Sequence, residues 1–235
     1  MKALGSPFIT VLVTVGKLYA TDGFLGRAIG SLVSQTYPHE KFEILVVDDG
    51  SNCRKLVQEL SARHASVGVE IRYEGYPEPK GVGYASQFGI ERSRGEFFTR
   101  VDADDTVLPT LLEVLTDAFC AARLMQPLQK IAYAYGGLIV INDVDGSESM
   151  LLRNEETIRD HGAGVLFLVK SVVHIGGYNP TLPNAEDYDL LRRLQQQGYQ
   201  GCSVPSCLYQ YHRHGKNLTN NVVERQAAVD AVRRQ

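Results

Sequence analysis

Three carboxylates crowd into four residues at Asp102-Ala103-Asp104-Asp105. Like charges this close cost stability unless something positive sits between them, and a divalent cation is the usual remedy. Hard ions such as Mg²⁺ and Mn²⁺ take oxygen ligands and often share them with the phosphates of a substrate. The cluster follows the apolar run Glu96-Phe97-Phe98-Thr99-Arg100-Val101, which reads as a strand. It therefore points to a metal held at the tip of a strand, positioned to grip a diphosphate. Taken alone, the same residues also fit a solvated acidic loop that starts the next helix, because Asp is favoured at helix N-caps.

The surrounding elements must position these groups. Phe8 to Val15 is a continuous run rich in β-branched residues, as expected of a strand buried on both faces. Leu25, Ala28, Ile29, Leu32 and Val33 recur at helical spacing before Pro38. Phe42 to Val47 is a second buried strand, ending in Asp48-Asp49-Gly50-Ser51, and a polar helix follows through Leu56, Val57 and Leu60. Val69 to Tyr73 is a third strand, and Gly81-Val82-Gly83 opens a helix through Ala85, Phe88 and Ile90. This β-α-β-α-β-α-β order implies a mostly parallel, doubly wound α/β sheet with right-handed crossovers. Such sheets bind ligands at the carboxyl ends of their strands, where Thr14, Asp49 and Asp102 to Asp105 all fall. The second half predicts a helix from Pro109 to Arg123, a strand from Ile131 to Ile141, another from Gly164 to Lys170 and a short helix capped by Ser171. A further helix opens at Glu186-Asp187 and ends at Gly198. The pattern from Val222 to Gln235 is helical and expected to be loosely attached.

Composition narrows the class. The 235 residues carry a net charge of −3, with 44% hydrophobic and 22% charged residues. That suits one large domain with a sizeable core and offers no basic surplus for nucleic acid. No apolar run approaches the ~20 residues a membrane helix needs. The N-terminus reads straight into a strand, so the expectation is a cytoplasmic protein without a transmembrane segment, which leaves room for peripheral membrane association. Four scattered cysteines exclude a disulfide scaffold. Cys202, Cys207, His212 and His214 lie close enough to suggest zinc, but their spacing matches none of the common zinc patterns.

Taken together, these segments resemble the family-two glycosyltransferases of GT-A fold. The matching pieces run in order: Thr14, Ser34-Gln35-Thr36-Tyr37-Pro38, Phe42 to Ser51, Gly89-Ile90, Arg94-Gly95-Glu96, and Arg100-Val101-Asp102-Ala103-Asp104-Asp105. Gly176-Gly177-Tyr178 and Glu186-Asp187-Tyr188-Asp189-Leu190 complete the set. The likeness spans roughly Phe8 to His214. It implies a single domain over 1–235, with a nucleotide-binding half at about 8–106, an acceptor-side half at about 107–214 and a C-terminal helix at about 215–235.

The resemblance implies inverting transfer of one sugar from a nucleotide diphosphate donor, a UDP-sugar, to an acceptor hydroxyl on a glycan or lipid-linked molecule. Cell-surface polysaccharide biosynthesis is the corresponding setting. Asp102-Ala103-Asp104 becomes the DXD motif, with Asp102 and Ala103 at the nucleotide and Asp104, Asp102 and His214 around Mn²⁺ or Mg²⁺. Asp187 matches the general base, with Glu186 orienting the acceptor or raising the basicity of its neighbour, although the pair also suits the start of a helix on dipole grounds. Asp49 matches the acceptor for a uracil ring N–H, with Thr14 lining the base pocket, Asp48 bracing the loop and Gly50 permitting its tight turn. Two departures stand out. After Thr14 the family usually carries an aromatic residue and then Asn, where this chain has Val15-Gly16-Lys17. With no Trp, the Gln-x-x-Arg-Trp motif of processive synthases is absent. Two other classes compete, a sugar-nucleotide pyrophosphorylase and a non-catalytic sugar-nucleotide-binding module. The first expects a Gly-rich phosphate loop directly after the first strand, and the intact Asp102, Asp104 and Asp187 argue against the second.

Overall fold

A computed structural model describes residues 6–182, 184–217 and 222–234. Four parallel strands form the first half of the sheet: β1 (Ile9–Val15), β2 (Phe42–Asp49), β3 (Glu70–Tyr76) and β4 (Phe97–Asp102). A short β5 (Thr106–Val107), the long β6 (Lys130–Asn142), β7 (Glu148–Leu151), β8 (Leu166–Leu168) and β9 (Tyr199–Arg213) follow. Among the described residues the nine strands form one sheet in the order β3-β2-β1-β4-β8-β6-β9-β5, with β7 paired to β6. The β1–β2, β1–β4, β2–β3 and β6–β9 pairs are parallel, and β8 is antiparallel to both of its neighbours. This is the mixed α/β GT-A arrangement.

Alternation along the central strands sorts their side chains onto two faces. Ile9, Val11 and Val13 of β1 and Ile44 and Val46 of β2 pack in one core. That core is filled from the helical side by Leu32 of α1 (Arg27–Val33), Leu60 of α2 (Arg54–Arg63) and Leu115 and Phe119 of α4 (Leu111–Met125). Leu12, Leu45 and Val47 point the other way, toward α3 (Val82–Arg92) and α6 (Glu186–Gln196), whose Ile90, Leu190, Leu191 and Leu194 close the second core. A sheet covered on both faces needs near-continuous apolar strands, which is why β1 and β2 lack the polar alternation of a solvated sheet. Gly89 lets α3 approach β1: a Cβ there would stand 2.8 Å from Leu12 Cδ2.

The structure departs from the sequence expectation in three places. The Gly164–Lys170 strand is only Leu166–Leu168, and α5 (Val169–His174) begins before Ser171, which is buried inside the helix and does not cap it. The fifteen-residue β9 crosses a stretch in which Pro205 and weak periodicity concealed a strand, and its pairing with β6 is broken by register shifts. The terminal helix α7 (Val222–Arg233) is docked on α6, not loose. Val232 is fully buried, Arg192 donates to its carbonyl at 3.0 Å, and Arg233 donates to Tyr188 Oη at 3.0 Å. Among the described residues no helix is long and apolar enough to cross a membrane.

Candidate active site

The carboxyl ends of β1, β2 and β4 open onto a cavity of about 360 Å³. Thr14, Asp49, Asp102, Ala103, Asp104, Glu186 and Asp187 all line it. Strand ends that are far apart in sequence meet because β1 lies between β2 and β4, with Thr14 paired to Asp102 in register.

At the β2 end of the cavity, Asp48 turns inward and braces the loop. Its carboxylate accepts from Ser51 N and Oγ at 2.6 Å, from Cys53 N at 2.8 Å and from Tyr73 Oη at 2.6 Å. Burial pushes that carboxyl upward, but these hydrogen bonds outweigh it and hold it below its ordinary value. The neighbouring Asp49 faces the cavity and accepts from the backbone N–H of Lys80 at 2.6 Å and of Gly81 at 3.0 Å. An ionised carboxylate has about four lone-pair sites, so it retains capacity for a further donor. Gly50 takes a φ of +67°, and a Cβ there would meet Pro79 N at 2.6 Å, so the turn tolerates only glycine.

The acidic cluster separates into three roles. Asp105 is buried, accepting from Tyr209 Oη at 2.7 Å and from His212 N at 2.8 Å, so it ties the cluster to β9. Burial, and then the charges of Asp102 and Asp104, push its carboxyl well above the ordinary range. Asp104 Oδ2 lies 3.0 Å from His214 Nε2, and its carboxyl is also raised, first by burial and then by Asp102. Asp102 leans toward Arg100 and stands in a group with Asp105 and His161 whose ligand atoms all lie within 4.8 Å of one another. The metal set inferred from sequence is therefore brought to one rim, but as two sub-clusters, Asp104–His214 and Asp102–Asp105–His161. Carboxylates with one or two imidazoles fit Mn²⁺ and Mg²⁺, the imidazole favouring Mn²⁺. The altered loop after Thr14 folds over this rim, where Tyr19 and Phe24 pack against the His214 ring with centroids at 6.2 and 5.1 Å. The imagined zinc set does not assemble: Cys202, Cys207 and His212 are strung along β9, and His212 Nδ1 pairs with Asp143 at 2.7 Å.

Arg100 joins the two acidic motifs. Its buried guanidinium donates to Glu186 Oε1 at 2.7 Å and to Asp187 Oδ2 at 2.7 Å. Its Nε stands 3.1 Å from Asp102 Oδ1 but out of line for a hydrogen bond, so that contact is ionic. Tyr178 Oη donates to the other oxygen of Asp187 at 3.2 Å. Burial and the adjacent Asp187 raise the Glu186 carboxyl to about 7, although Arg100 opposes both. Ala185, just before α6, holds a φ of +62°, a conformation that costs a non-glycine residue energy and aims Glu186 and Asp187 into the cavity.

Four residues carry this arrangement without having been assigned a part from sequence: Arg100, His161, Arg153 and Tyr178. Arg100 had a legible signal, a cation in a strand buried on both faces. His161 had none. Its loop is held by the buried Arg153, which donates to the carbonyls of Gly136, His161 and Ala163 at 2.7, 2.6 and 3.2 Å.

A mixed, largely parallel sheet with a carboxylate-rich cleft at the carboxyl ends of its parallel strands is the arrangement of the GT-A fold. The family model described as glycosyl transferase family 2 matches residues 18–160, and the chain belongs to that family. An uncharacterized glycosyltransferase of Rickettsia conorii is 30% identical over 195 residues, covering 77% of this chain and 30% of that protein. Glycosyltransferase AglE of Haloferax volcanii is 26% identical, over 82% of this chain and 63% of its own length. The chain thus spans about a third of the Rickettsia relative. Among solved structures, mannosyltransferase PcManGT of Pyrobaculum calidifontis with GDP-Man and Mn²⁺ superposes with a TM-score of 0.71 at 16% identity, covering 98% of this chain and 65% of that one. TarS of S. aureus with UDP-GlcNAc gives 0.67 at 16% identity, covering 91% and 61%. At these identities the likeness is one of fold.

Proposed function

We propose that the chain transfers one sugar from a nucleotide diphosphate donor, a UDP-sugar, to an acceptor hydroxyl with inversion, and that a divalent cation is required. The observation that carries the reading is the convergence of Asp102-Ala103-Asp104 and Glu186-Asp187 on one cavity, with Arg100 between them. Asp104, Asp102 and His214 would hold the cation, with His161 and Asp105 alongside. When bound, Mn²⁺ or Mg²⁺ supplies Lewis-acid stabilisation of the charge that develops on the departing diphosphate. Asp49 would orient the base through its ring N–H, with Thr14 beside it. Asp187 takes the proton of the acceptor hydroxyl as its oxygen attacks the anomeric carbon on the face opposite the leaving group. Arg100 and Tyr178 fix one carboxylate oxygen each, so the base cannot rotate away, and near-attack geometry of this kind accounts for much of an enzyme's advantage. Arg100 holds the acidic rim and the Glu186–Asp187 pair side by side, so donor and acceptor would meet within one cavity.

The test is calorimetric titration of UDP and GDP with Mn²⁺, Mg²⁺ or excess chelator. UDP should bind only with metal and, at ~100 times its dissociation constant, should raise stability by about 2.7 kcal/mol. Equal binding in chelator would remove the metal role, and preference for GDP would remove the assignment of Asp49.

A further inference from the structure

The edge of the sheet opposite the cleft carries a second concavity, of about 430 Å³. It lies where β6 and β9 begin, β8 ends and α4 and α5 meet. Arg123, Lys130, Lys170, His174 and Tyr199 line it, and no Asp or Glu does. Arg123, Lys130 and Lys170 make no ion pair among the described residues. The weak contacts of Lys130 are a carbonyl at 3.5 Å and the Tyr199 ring at 5.8 Å. Three cations that line one concavity with no carboxylate in its lining repel one another, which an anion would relieve.

The same segments expose large apolar side chains. Leu124 and Met125, which follow Arg123, are 63% and 82% exposed; Leu128, two residues before Lys130, is 98% exposed; and Val173, beside His174, is 59% exposed. Cations without ion pairs, flanked in sequence by exposed apolar groups, match the headgroup boundary of an anionic membrane, where phosphate meets acyl chain. We propose that this edge docks on an anionic lipid surface, with a headgroup phosphate in the concavity and Leu124, Met125, Leu128 and Val173 entering the interface. Charge complementarity selects this occupant. The chain is acidic overall at −3, so attraction to an anionic surface needs a local cationic patch of this kind. A nucleic acid would use the cations but leave four apolar side chains in water. A second copy meeting this face isologously would set the cations against themselves. β6 runs thirteen residues from this edge to the rim of the cleft, roughly 40 Å at about 3.3 Å per residue. Docking therefore leaves the cleft uncovered.

The experiment is flotation of the full 235-residue chain with vesicles of phosphatidylcholine containing phosphatidylglycerol, against phosphatidylcholine alone, at low and high salt. Binding is expected only with phosphatidylglycerol and should weaken with salt. The double variant Lys130→Gln/Lys170→Gln should weaken it about fivefold per cation. Lys41→Gln/Lys55→Gln, the same charge change elsewhere, should leave it intact. Leu128→Asp, at a site with almost no packing to lose, should weaken binding with an unchanged melting temperature. Absence of binding, equal binding to neutral vesicles, or equal loss in the control pair would overturn the proposal. So would a concentration-dependent dimer that Leu128→Asp dissolves, because the face would then belong to a second copy.

Discussion

Asp187 and Arg100 carry the residue-scale argument. Asp187→Asn keeps the shape that Arg100 and Tyr178 recognise but cannot take a proton at neutral pH. The kcat for transfer should fall by about 10²-fold or more, with nucleotide affinity little changed, because Asp49, Asp102 and Asp104, the residues proposed for the donor, are left intact. Slow donor hydrolysis by water serves as the assay while the acceptor is unknown. If nucleotide binding is lost with the same change, Asp187 belongs to the donor site instead. Arg100 neutralises two carboxylates in a buried setting, so Arg100→Gln should cost about 3–5 kcal/mol in denaturant unfolding, the penalty for stranding buried charge. Arg100→Lys keeps the charge but cannot fork to both partners. It should retain the fold while still lowering kcat, and a fully active Lys variant would show that the guanidinium is there for charge alone.

Elements deliver these residues through close backbone approaches. The loop after β7 carries His161 and Gly162, and a Cβ on Gly162 would lie 2.6 Å from Asp187 Cβ and Cγ. Neither group can retreat easily, because Arg153 anchors the loop and α6 is packed into the second core. Gly162→Ala should therefore push Asp187 off its geometry and lower kcat about tenfold or more, since small misplacements near a reacting centre are amplified. The same variant should bind nucleotide normally and melt within a few degrees of the parent chain. Unchanged turnover would mean that the loop yields and does not fix the base. This contact was invisible in the sequence, where Gly162 and Asp187 are simply residues in separate segments.

For the molecule as a whole, the buried acidic pair makes stability depend on pH. Glu186 titrates at about 7 in the fold and near 4.5 when unfolded. Between those values the native state holds an extra proton, so this group contributes stability that is complete below about 4.5 and lost as pH rises toward 7. Glu186→Gln should remove that decline, so the difference in melting temperature between parent and variant should grow across the same interval, in favour of the variant. Asp105 pushes the same way but is common to both proteins and cancels. A parallel pH profile for the two proteins would show that Glu186 is ionised in the fold, held so by Arg100.

The sequence alone determined which groups could do chemistry and the half of the fold that presents them. β1, β2 and β4 were legible because a strand covered on both faces must be continuously apolar, and the polar residues at their ends stand out against that background. The β-α-β order of those strands by itself places Thr14, Asp49 and Asp102 on one edge of the sheet. Only the tertiary structure decided how the groups pair. Arg100 reaches 86 and 87 residues along the chain to Glu186 and Asp187, and β9 brings Tyr209 and His212 back across more than a hundred residues to Asp105. Such contacts leave no periodicity or spacing to read, because they depend on the crossing of strands and the angle of α6. The same reason explains why Asp102 to Asp105, uniform in sequence, divides into a carboxylate beside Arg100, a partner of His214 and a buried anchor for β9.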